Sequence, residues 1–354
     1  IILVDYARTW GTNAITIDSN GLNFQGSDDT YIVDYDTAGQ AINLVYSDAT
    51  IGWTPSSDIA NALEPFTNIT QKAIFGYGNA SGVSSLTNLV SSSGVVAADV
   101  TGVGTARESL AATGYGLDKA IFGYGEISSN TAITNLVSNS GVVATDTTGV
   151  GTARRSPAAT GYGTDKAIFG YGYAGAVSSL TNLVSNTGVV AADVSGVGTA
   201  RRYLAATRYG VDTAIFAYGN SGSVVSMSNL VSNSGVVAAD VTGVGTARHN
   251  PAAASYGTDK ALFGYGSTGS VVSMSNLVSN SGVVAADVTG VGTARESLAA
   301  ASYGGDKAIF GYGLISSAVS MSNLVNNSGV VAADVTGVGT ARYALAAAGY
   351  SSAA

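Results

Sequence analysis

The sequence predicts an all-β protein: a six-bladed β-propeller of 47-residue blades, preceded by a small β domain. Three observations lead to this prediction. Residues 72–353 are six tandem copies of one unit, and each copy reads as short apolar runs separated by glycine-rich turns. The last copy also ends on a run that is missing before the first copy. Four short strands in about 40 to 50 residues is the size of a propeller blade.

The period is plainest in the string Lys-Ala-Ile-Phe-Gly-Tyr-Gly, which recurs with small changes every 47 residues. Its copies begin at Lys72, Lys119, Lys166, Thr213, Lys260 and Lys307. An Asn-Leu-Val run follows in each copy, at Asn88, Asn135, Asn182, Asn229, Asn276 and Asn323. The string Gly-Val-Gly-Thr-Ala-Arg then ends at Arg107, Arg154, Arg201, Arg248, Arg295 and Arg342. Because no copy has an insertion or a deletion, every copy is expected to form the same structural unit.

Each copy is expected to contain four strands. They are the Ala-Ile-Phe run, the Asn-Leu-Val run, a Gly-Val-Val-Ala-Ala-Asp-Val run and a run of small residues such as 109–113. Apolar and polar residues do not alternate cleanly along these runs, which favours strands covered on both faces by neighbouring sheets. The small residues suit the innermost strand of a blade, where space near the axis is most restricted.

The phase of the repeat predicts a closed ring. The first copy starts at its Ala-Ile-Phe strand, whereas the last strand of the chain is the small-residue run Tyr343–Tyr350. We expect this run to pair antiparallel with Ala73–Tyr77, which would complete the first blade and cover edges that otherwise aggregate. The alternative is a β-solenoid, in which the copies stack in a line between capping units. The last copy keeps the consensus to its final strand, which favours the ring.

Composition excludes several classes of protein. The chain has no Cys, so neither a disulfide nor a thiolate metal site can form. It has no run of 18 apolar residues, which a membrane-spanning helix would need. The net charge of −8 lies entirely in residues 1–71, and the neutral repeats offer no basic surface for nucleic acid. The opening run 1–4 looks like a strand entered midway and not like a signal peptide, as if the sequence continued upstream.

Residues 1–54 are expected to form a small β domain that serves assembly or attachment. Four short β-type runs lie between turn residues, at 1–5, 14–18, 30–35 and 41–46. Trp10 and Trp53 are expected to supply its core. Residues 55–71 contain two prolines and no strand pattern, which predicts a linker with a helical turn near 59–63. The propeller then occupies residues 72–354.

An acidic cluster in the first domain is a candidate calcium site, because hard oxygen ligands suit that ion. Its members are Asp28, Asp29, Asp34 and Asp36. The cluster lacks the spacing of an EF-hand and of the glycine-aspartate nonapeptide repeat, so a solvated acidic loop is favoured.

With the small-residue strand placed first, each copy resembles the kelch-type propeller repeat. The shared pattern is an Arg before a small-residue strand, then an apolar strand that ends in glycines, then two outer strands. The copies look closer still to the kelch-like arrays of tail fibres and other virion proteins of aquatic bacteriophages. The resemblance covers about four-fifths of the chain. The double glycine of the family appears here as Gly76-Tyr77-Gly78, and the usual Trp of its outer strand is absent.

The resemblance implies a non-enzymatic structural protein of the virion, a phage tail fibre or receptor-binding protein located in the extracellular tail. The propeller would bind a host-surface receptor, expected to be a glycan. Residues 1–71 would contact other tail proteins, and a homotrimer is expected. No cofactor, nucleic acid or membrane insertion is expected. One alternative is a secreted or surface adhesin or lectin of a bacterium. Another is a polysaccharide hydrolase with two facing carboxylates about 5 to 9.5 Å apart, for which Glu108, Glu126 and Glu296 are the spare acids.

The residues offer little for catalysis. The one His of the chain, His249, lies where other copies carry unrelated residues, which favours a surface role over a general base. The six repeated arginines could form an anion-binding ring. Each copy also carries one Asp at constant spacing, so pairing with a carboxylate of the same or the next copy is favoured. These acids are Asp99, Asp146, Asp193, Asp240, Asp287 and Asp334.

The copies differ mainly in the stretch after the Arg and in the stretch after Gly-Tyr-Gly. In an up-and-down sheet these two loops lie at the same end, which we call the variable face. Its aromatic, Arg and His residues are of the types that stack on sugars and form hydrogen bonds with them. The predicted ligand-binding residues are Glu108, Glu126, Arg155, Tyr173, Arg202, Tyr203, Asn220, His249, Asn250 and Tyr343. No metal-binding or catalytic residue is predicted.

Overall fold

The computed structural model describes residues 1–25, 33–59 and 71–351. These residues form strands, bridges and turns and contain no helix, which confirms the all-β prediction for the described parts of the chain. Accordingly, none of the described segments contains a helix able to span a membrane. The chain divides into two compact units, Ile1–Thr67 and Asn68–Ala354.

The first unit contains two small antiparallel sheets. Its strands are β1 (Ile2–Val4), β2 (Ile15–Ile17), β3 (Val33–Tyr35), β4 (Ala41–Tyr46) and β5 (Trp53–Ile59). Strand β4 lies between β1 and β5, and β2 pairs with β3. Ile42 and Leu44 of β4 are buried with Phe24, and both Trp10 and Trp53 pack against this cluster. All four predicted runs therefore contain a strand, and both tryptophans contribute to the core as expected.

The acidic cluster is only partly described, because Asp28 and Asp29 lie outside the described residues. Asp34 accepts a hydrogen bond of 2.7 Å from the hydroxyl of Thr16 across the β2–β3 pair. Within the described ranges, no group of three His, Asp or Glu residues is placed so that it could hold a metal ion.

The predicted linker begins too early. Strand β5 pairs with β4 as far as Ile59, so residues 55–59 belong to the sheet. Pro55 is tolerated because β5 is an edge strand, and because the register of the β4–β5 pair shifts between Asn43 and Leu44, opposite this proline. Beyond Ile59, the helical turn predicted near 59–63 lies outside the described residues.

The second unit contains six three-stranded antiparallel sheets in its described residues. The central strand of each sheet is the Ala-Ile-Phe run: β6 (Gln71–Gly76), β9 (Lys119–Gly123), β12 (Lys166–Tyr173), β15 (Thr213–Ala217), β18 (Lys260–Gly264) and β21 (Lys307–Gly311). On one side lies the Asn-Leu-Val strand: β7 (Thr87–Val90), β10 (Thr134–Val137), β13 (Val177–Val184), β16 (Ser228–Val231), β19 (Ser275–Val278) and β22 (Ser322–Val325). On the other side lies the small-residue strand: β8 (Ala111–Tyr115), β11 (Ala158–Tyr162), β14 (Ala205–Tyr209), β17 (Ala252–Tyr256), β20 (Ala299–Tyr303) and β23 (Ala346–Ser351).

The central strands are buried on both faces, as the lack of alternation predicts. In β9, Ala120, Ile121 and Phe122 are all fully buried. Ala120 and Phe122 belong to one apolar cluster and Ile121 to the next, so successive side chains face different neighbouring sheets. Full burial of a large apolar side chain contributes about 1.5 to 3 kcal/mol, which makes these strands the main source of stability in each sheet.

The small-residue strands of successive copies lie side by side. Their spacing leaves little room for larger side chains. A Cβ atom added at Gly114 would lie 3.1 Å from the carbonyl oxygen of Gly349 on the adjacent strand. The close approach of adjacent small-residue strands therefore explains why they consist mainly of Ala, Ser, Thr and Gly.

The Gly-Val-Val-Ala-Ala-Asp-Val run, predicted as a strand in each copy, does not form a regular strand. In the first copy, residues 94–100 form only two isolated bridges to β7, at Val96 and Val100. Between these bridges the side-chain amide of Asn88 donates to the carbonyl of Ala97 at 3.0 Å and to the carboxylate of Asp99 at 2.9 Å. A side chain thus replaces a rung of the ladder, and the other copies repeat this arrangement.

The last strand of the chain completes the first sheet. Strand β23 pairs antiparallel with β6, with Ala346 opposite Gly76 and Tyr350 opposite Lys72. This confirms the predicted partner, although the paired part begins at Ala346. Tyr343 instead forms an isolated bridge with Asn79.

Backbone hydrogen bonds also link the six copies in series just before the small-residue strands. In each link an N–H group donates to the carbonyl of the preceding copy, and the first copy's Ser109 donates to Ala344 of the last copy at 2.8 Å. We call this series the hydrogen-bond cycle; its members are Ser109, Ser156, Tyr203, Asn250, Ser297 and Ala344. All six have φ between 50° and 58°, a left-handed conformation that costs about 1 kcal/mol or more per non-glycine residue.

Deleting residues 343–354 should unfold the first sheet. The deletion removes β23, whose Ala346, Ala348 and Tyr350 side chains are buried in one cluster with Ile74. We expect the melting temperature to fall by more than about 10 °C and the uncovered edge of β6 to promote aggregation. Deletion of residues 352–354 alone leaves β23 in place and is the matched control. A 343–354 deletion that melts like the control and stays monodisperse would contradict the closing role of β23.

Candidate functional site

The repeated arginines lie at the junctions between copies and are fully buried. Arg107 donates from Nε to the carbonyl of Tyr124 at 2.9 Å and from Nη2 to the Asn135 side-chain oxygen at 2.8 Å. Its guanidinium lies 4.4 Å from the ring centroid of Tyr77. Burial lowers the pKa of Arg107 from its usual value. The side chain therefore joins its own copy, through Tyr77, to the next copy, through Tyr124 and Asn135.

The carboxylate near each junction arginine comes from the next copy. Arg154 lies 3.8 Å from Asp193, and Arg342 of the last copy lies 3.6 Å from Asp99 of the first. The sequence left open whether the acid belongs to the same or the next copy, and the structure selects the next. Since these guanidinium groups are enclosed by protein, the hypothesis of an anion-binding ring at these positions is wrong, and the pairing hypothesis is confirmed.

The loop after the Arg of one copy and the loop after Gly-Tyr-Gly of the next copy lie at one end of the same sheet. Glu108 and Glu126, one from each loop, exchange backbone hydrogen bonds of 2.9 and 2.8 Å. The less variable turns meet at the other end, where the amide of Asn186 donates to Asp165 at 2.9 Å. The expected separation into a variable face and an opposite end is therefore present in the structure.

Four predicted residues form one half of a chain of side-chain contacts on the variable face. Arg155 donates from Nη1 to both carboxylate oxygens of Glu126 at 2.6 Å, and this interaction raises the pKa of Arg155 despite its partial burial. The Arg155 guanidinium lies 5.0 Å from the ring centroid of Tyr173. The Arg202 guanidinium stacks on the same ring, 4.8 Å from its centroid. It also lies 4.9 Å from the ring centroid of Tyr203.

This series of side-chain contacts continues into the fourth and fifth copies. The rings of Tyr203 and His249 meet edge to face at 6.0 Å between centroids. His249 Nε2 lies 3.8 Å from a carboxylate oxygen of Glu296, and the amide of Asn250 donates to the same oxygen at 3.2 Å. We call the whole set the variable-face cluster; its members are Glu126, Arg155, Tyr173, Arg202, Tyr203, His249, Asn250 and Glu296.

Three predicted residues lie at this end but outside the cluster. Asn220 forms an isolated backbone β-bridge with Arg202, and its side-chain oxygen accepts a hydrogen bond from the backbone N–H of Gly222. Glu108 and Tyr343 take part in backbone bridges, and no side-chain contact joins them to the cluster within the described residues. Glu296, in contrast, belongs to the cluster and was not predicted to bind ligand. Its place in the same variable stretch as His249 was the signal that could have identified it.

Several buried polar atoms of the variable face have no partner among the described residues. They are Nε of Arg155, Nε of Arg202 and the hydroxyl of Ser156. Buried polar groups are almost always hydrogen-bonded. Arg202 also has no carboxylate within ion-pair distance in the described part of the chain, so its charge is stabilised by two aromatic rings alone.

A pocket of about 110 Å³ opens beside the cluster. It is lined by the six members of the hydrogen-bond cycle and by the residue after each of them. Two cluster members, Tyr203 and Asn250, lie in this lining. The partnerless Ser156 hydroxyl belongs to the same lining. The arrangement offers an aromatic platform, fixed cations and free donors around a small concavity, which suits recognition of a polar molecule.

A comparison with models of known protein families finds no match, and a comparison with curated protein sequences finds none either.

Substituting Asn for Asp193 should weaken one junction. Burial would raise the pKa of Asp193, but hydrogen bonds from Thr152 and Asn182 and the charge of Arg154 lower it overall. Because its folded-state pKa is lowered, the ionised carboxylate stabilises the fold above the unfolded pKa of about 3.8. This stabilisation is lost as the pH falls through the folded-state pKa. We expect D193N to lower the free energy of unfolding by about 1.5 to 3 kcal/mol at pH 7.

The difference between D193N and the native protein should shrink as the pH falls from 5 to 2, because the native carboxylate becomes protonated. Urea unfolding at each pH measures this difference. Asp165→Asn, at an exposed turn, is the matched control. Equal stability of D193N and native protein at pH 7 would show that this carboxylate does not support the junction.

Proposed function

We propose that the six sheets are the blades of a closed six-bladed β-propeller. The pairing of β23 with β6 supports this, because a linear stack of copies would place these strands at opposite ends. The hydrogen-bond cycle returns from Ala344 to Ser109. The junction between the last and first copies, through Arg342 and Asn88, repeats the contacts of the other junctions. The kelch-like pattern of the sequence agrees with this architecture.

We further propose that the variable face binds a glycan on a host surface and that the protein has no enzymatic activity. The observation that carries this proposal is the half-buried stack of Tyr173, Arg202 and Tyr203 beside the pocket. Aromatic rings cover the apolar faces of sugar rings, while guanidinium and amide groups donate to sugar hydroxyls. The stack is held in place by Glu126 and Glu296 at its two ends, so little order has to be gained on binding.

The carboxylates of this face support binding over hydrolysis. Glu126 accepts hydrogen bonds from Arg155, and Glu296 accepts one from the amide of Asn250. A hydrolase needs one carboxyl group that donates a proton and a second that attacks or activates water. In this cluster both acids instead act as acceptors for basic and amide side chains.

The setting we propose is a phage tail fibre, in which the protein is a receptor-binding component of the virion. The support is the resemblance of the repeat to virion kelch-like arrays together with the binding surface just described. A bacterial adhesin or lectin would use the same surface in the same way. Electron microscopy of intact phage particles labelled with an antibody against the repeat unit would distinguish the two, since only the virion protein would be found on tails.

Replacing Tyr203 and Arg202 by Ala should weaken glycan binding. The double variant removes the centre of the stack, and loss of such central aromatic and Arg contacts typically costs 2 kcal/mol or more, about 30-fold in affinity. Binding would be measured on a glycan array, with calorimetric titration of the glycans found. Asn186→Ala at the opposite end is the control and should bind as the native protein does.

Equal binding by the double variant, the control and the native protein would remove the assignment of this face. Absence of any glycan bound by the native protein would contradict the glycan as ligand class, while adsorption to host cells would still report on receptor binding.

The first unit is proposed to make the contacts with other virion proteins, as a trimer. The whole net charge of −8 lies in residues 1–71, so the repeat unit contributes no net charge to the assembly. We expect light scattering of the full chain to give a trimer, and a fragment of residues 72–354 to be monomeric. A full chain that remains monomeric at high concentration would contradict this proposal.

A further inference from the structure

One position of the small-residue strands differs in charge between copies. In these strands alternate residues face the space enclosed by the strands, and all but one of the fourth residues are Gly or Ser. The six residues at this position are Gly114, Gly161, Arg208, Ser255, Ser302 and Gly349. Arg208 is the only charged side chain in any of the six strands.

The Arg208 side chain is fixed by the backbone around it. Its Nη2 donates to the carbonyl of Gly163 at 2.6 Å and to that of Val211 at 2.9 Å. It also lies across the neighbouring strand, because a Cβ atom at Gly161 would be 3.0 Å from Arg208 Cδ. The glycine of the second copy thus provides the space that the arginine of the third copy occupies.

The charge of Arg208 has no direct partner. Among the described residues no carboxylate lies within ion-pair distance, and no acceptor takes a hydrogen bond from Nε or Nη1. The acid that influences it, Asp212, accepts instead from the amide of Asn233 at 3.0 Å. Partial burial lowers the pKa of Arg208, because desolvation disfavours the charged form.

The guanidinium lines a cavity of about 210 Å³ at the opposite end of the strands from the variable-face pocket. Hydroxyl, ammonium, amide and carboxylate groups also line this cavity, among them those of Thr160, Lys166, Gln71 and Asp165. The volume holds several water molecules or one small organic molecule, and is below the usual size of sites for drug-sized ligands.

We propose that this cavity binds a small carboxylate, such as a uronic acid or another organic acid of similar size, through Nη1 and Nε of Arg208. Arg208 is half-buried, and no carboxylate in the described part of the chain matches its charge. An uncharged residue at this position would avoid the cost of partly desolvating a cation. A bound carboxylate would supply the missing acceptor and the missing negative charge in short, charge-assisted hydrogen bonds. This site is separate from the variable face and does not depend on the function proposed for it.

Binding would be measured by titration calorimetry with acetate, glucuronate and glucose. We expect glucuronate and acetate to bind the native protein and glucose not to bind, because glucose matches glucuronate in shape but lacks its carboxylate. Arg208→Ser should raise the dissociation constant at least tenfold. This variant is expected to fold, because two other copies carry Ser at this position. Lys260→Ser removes one positive charge from an exposed residue outside the cavity lining and should bind as the native protein does.

A second measurement uses the native protein only. Phenylglyoxal modifies accessible arginines, and mass spectrometry locates the modified peptides. Glucuronate should protect Arg208 and leave Arg202 of the variable face unprotected, whereas glucose should protect neither. The proposal is overturned if glucose and glucuronate bind equally, if neither carboxylate binds, if the Arg208→Ser variant binds as the native protein does, or if Arg208 is modified equally with and without glucuronate.

Discussion

The repeat unit depends on one interaction, the burial of an arginine at each junction between copies. A guanidinium taken out of water is stable only if its charge and its donors are matched, and removing a partner of such a buried ion typically costs about 3 to 5 kcal/mol. Arg154 obtains this match from the next copy, through the backbone carbonyl of Tyr171, the Asn182 side chain and the nearby Asp193. The requirement explains why these Asn, Asp, Tyr and Arg residues recur in all six copies.

The same arrangement determines where variation is possible. The junction arginines are fully buried, and the small-residue strands lie close together, so both regions tolerate little change. Arg208 is the exception, and it fits because the neighbouring strand carries Gly161. The variable loops lie beyond both regions and carry few of these constraints. The resulting surface is not six-fold. The cluster spans the loops between Glu126 and Glu296, whereas the loops at Glu108 and Tyr343 contribute no side chain to it. A scaffold of near-identical copies thus presents one extended cluster of contacting side chains.

Much of the fold could be predicted from the sequence because the repeat has a constant length and an unambiguous phase. The pairing of β23 with β6 follows from a strand present at one end and missing at the other. The irregular structure of the Gly-Val-Val-Ala-Ala-Asp-Val run was not predictable in the same way. Its apolar residues indicate a strand, but the ladder is interrupted by Asn88, and a side-chain hydrogen bond leaves no periodic signal.

The candidate site was predicted only as a set of loops. Which side chains touch depends on the distances between loops of different copies, so Glu296 was missed and Asn220 was included. Arg208 was missed for a different reason. Aligning the copies emphasises what they share, whereas Arg208 is informative because it departs from the Gly or Ser of the other copies.

The pairing of β23 with β6 has a consequence for biosynthesis. Asn88 and Arg342, which meet at this junction, are 254 residues apart in the chain. At a translation rate of about 5 to 20 residues per second, roughly 10 to 50 s pass between the emergence of the two sides. During this interval β6 has an unpaired edge, and copies synthesised in the meantime offer strands of nearly the same sequence as β23. Mispairing with these strands is the folding error to which a chain of similar copies is most exposed, so the nascent chain requires either a chaperone or a first sheet that stays loosely formed until synthesis is complete.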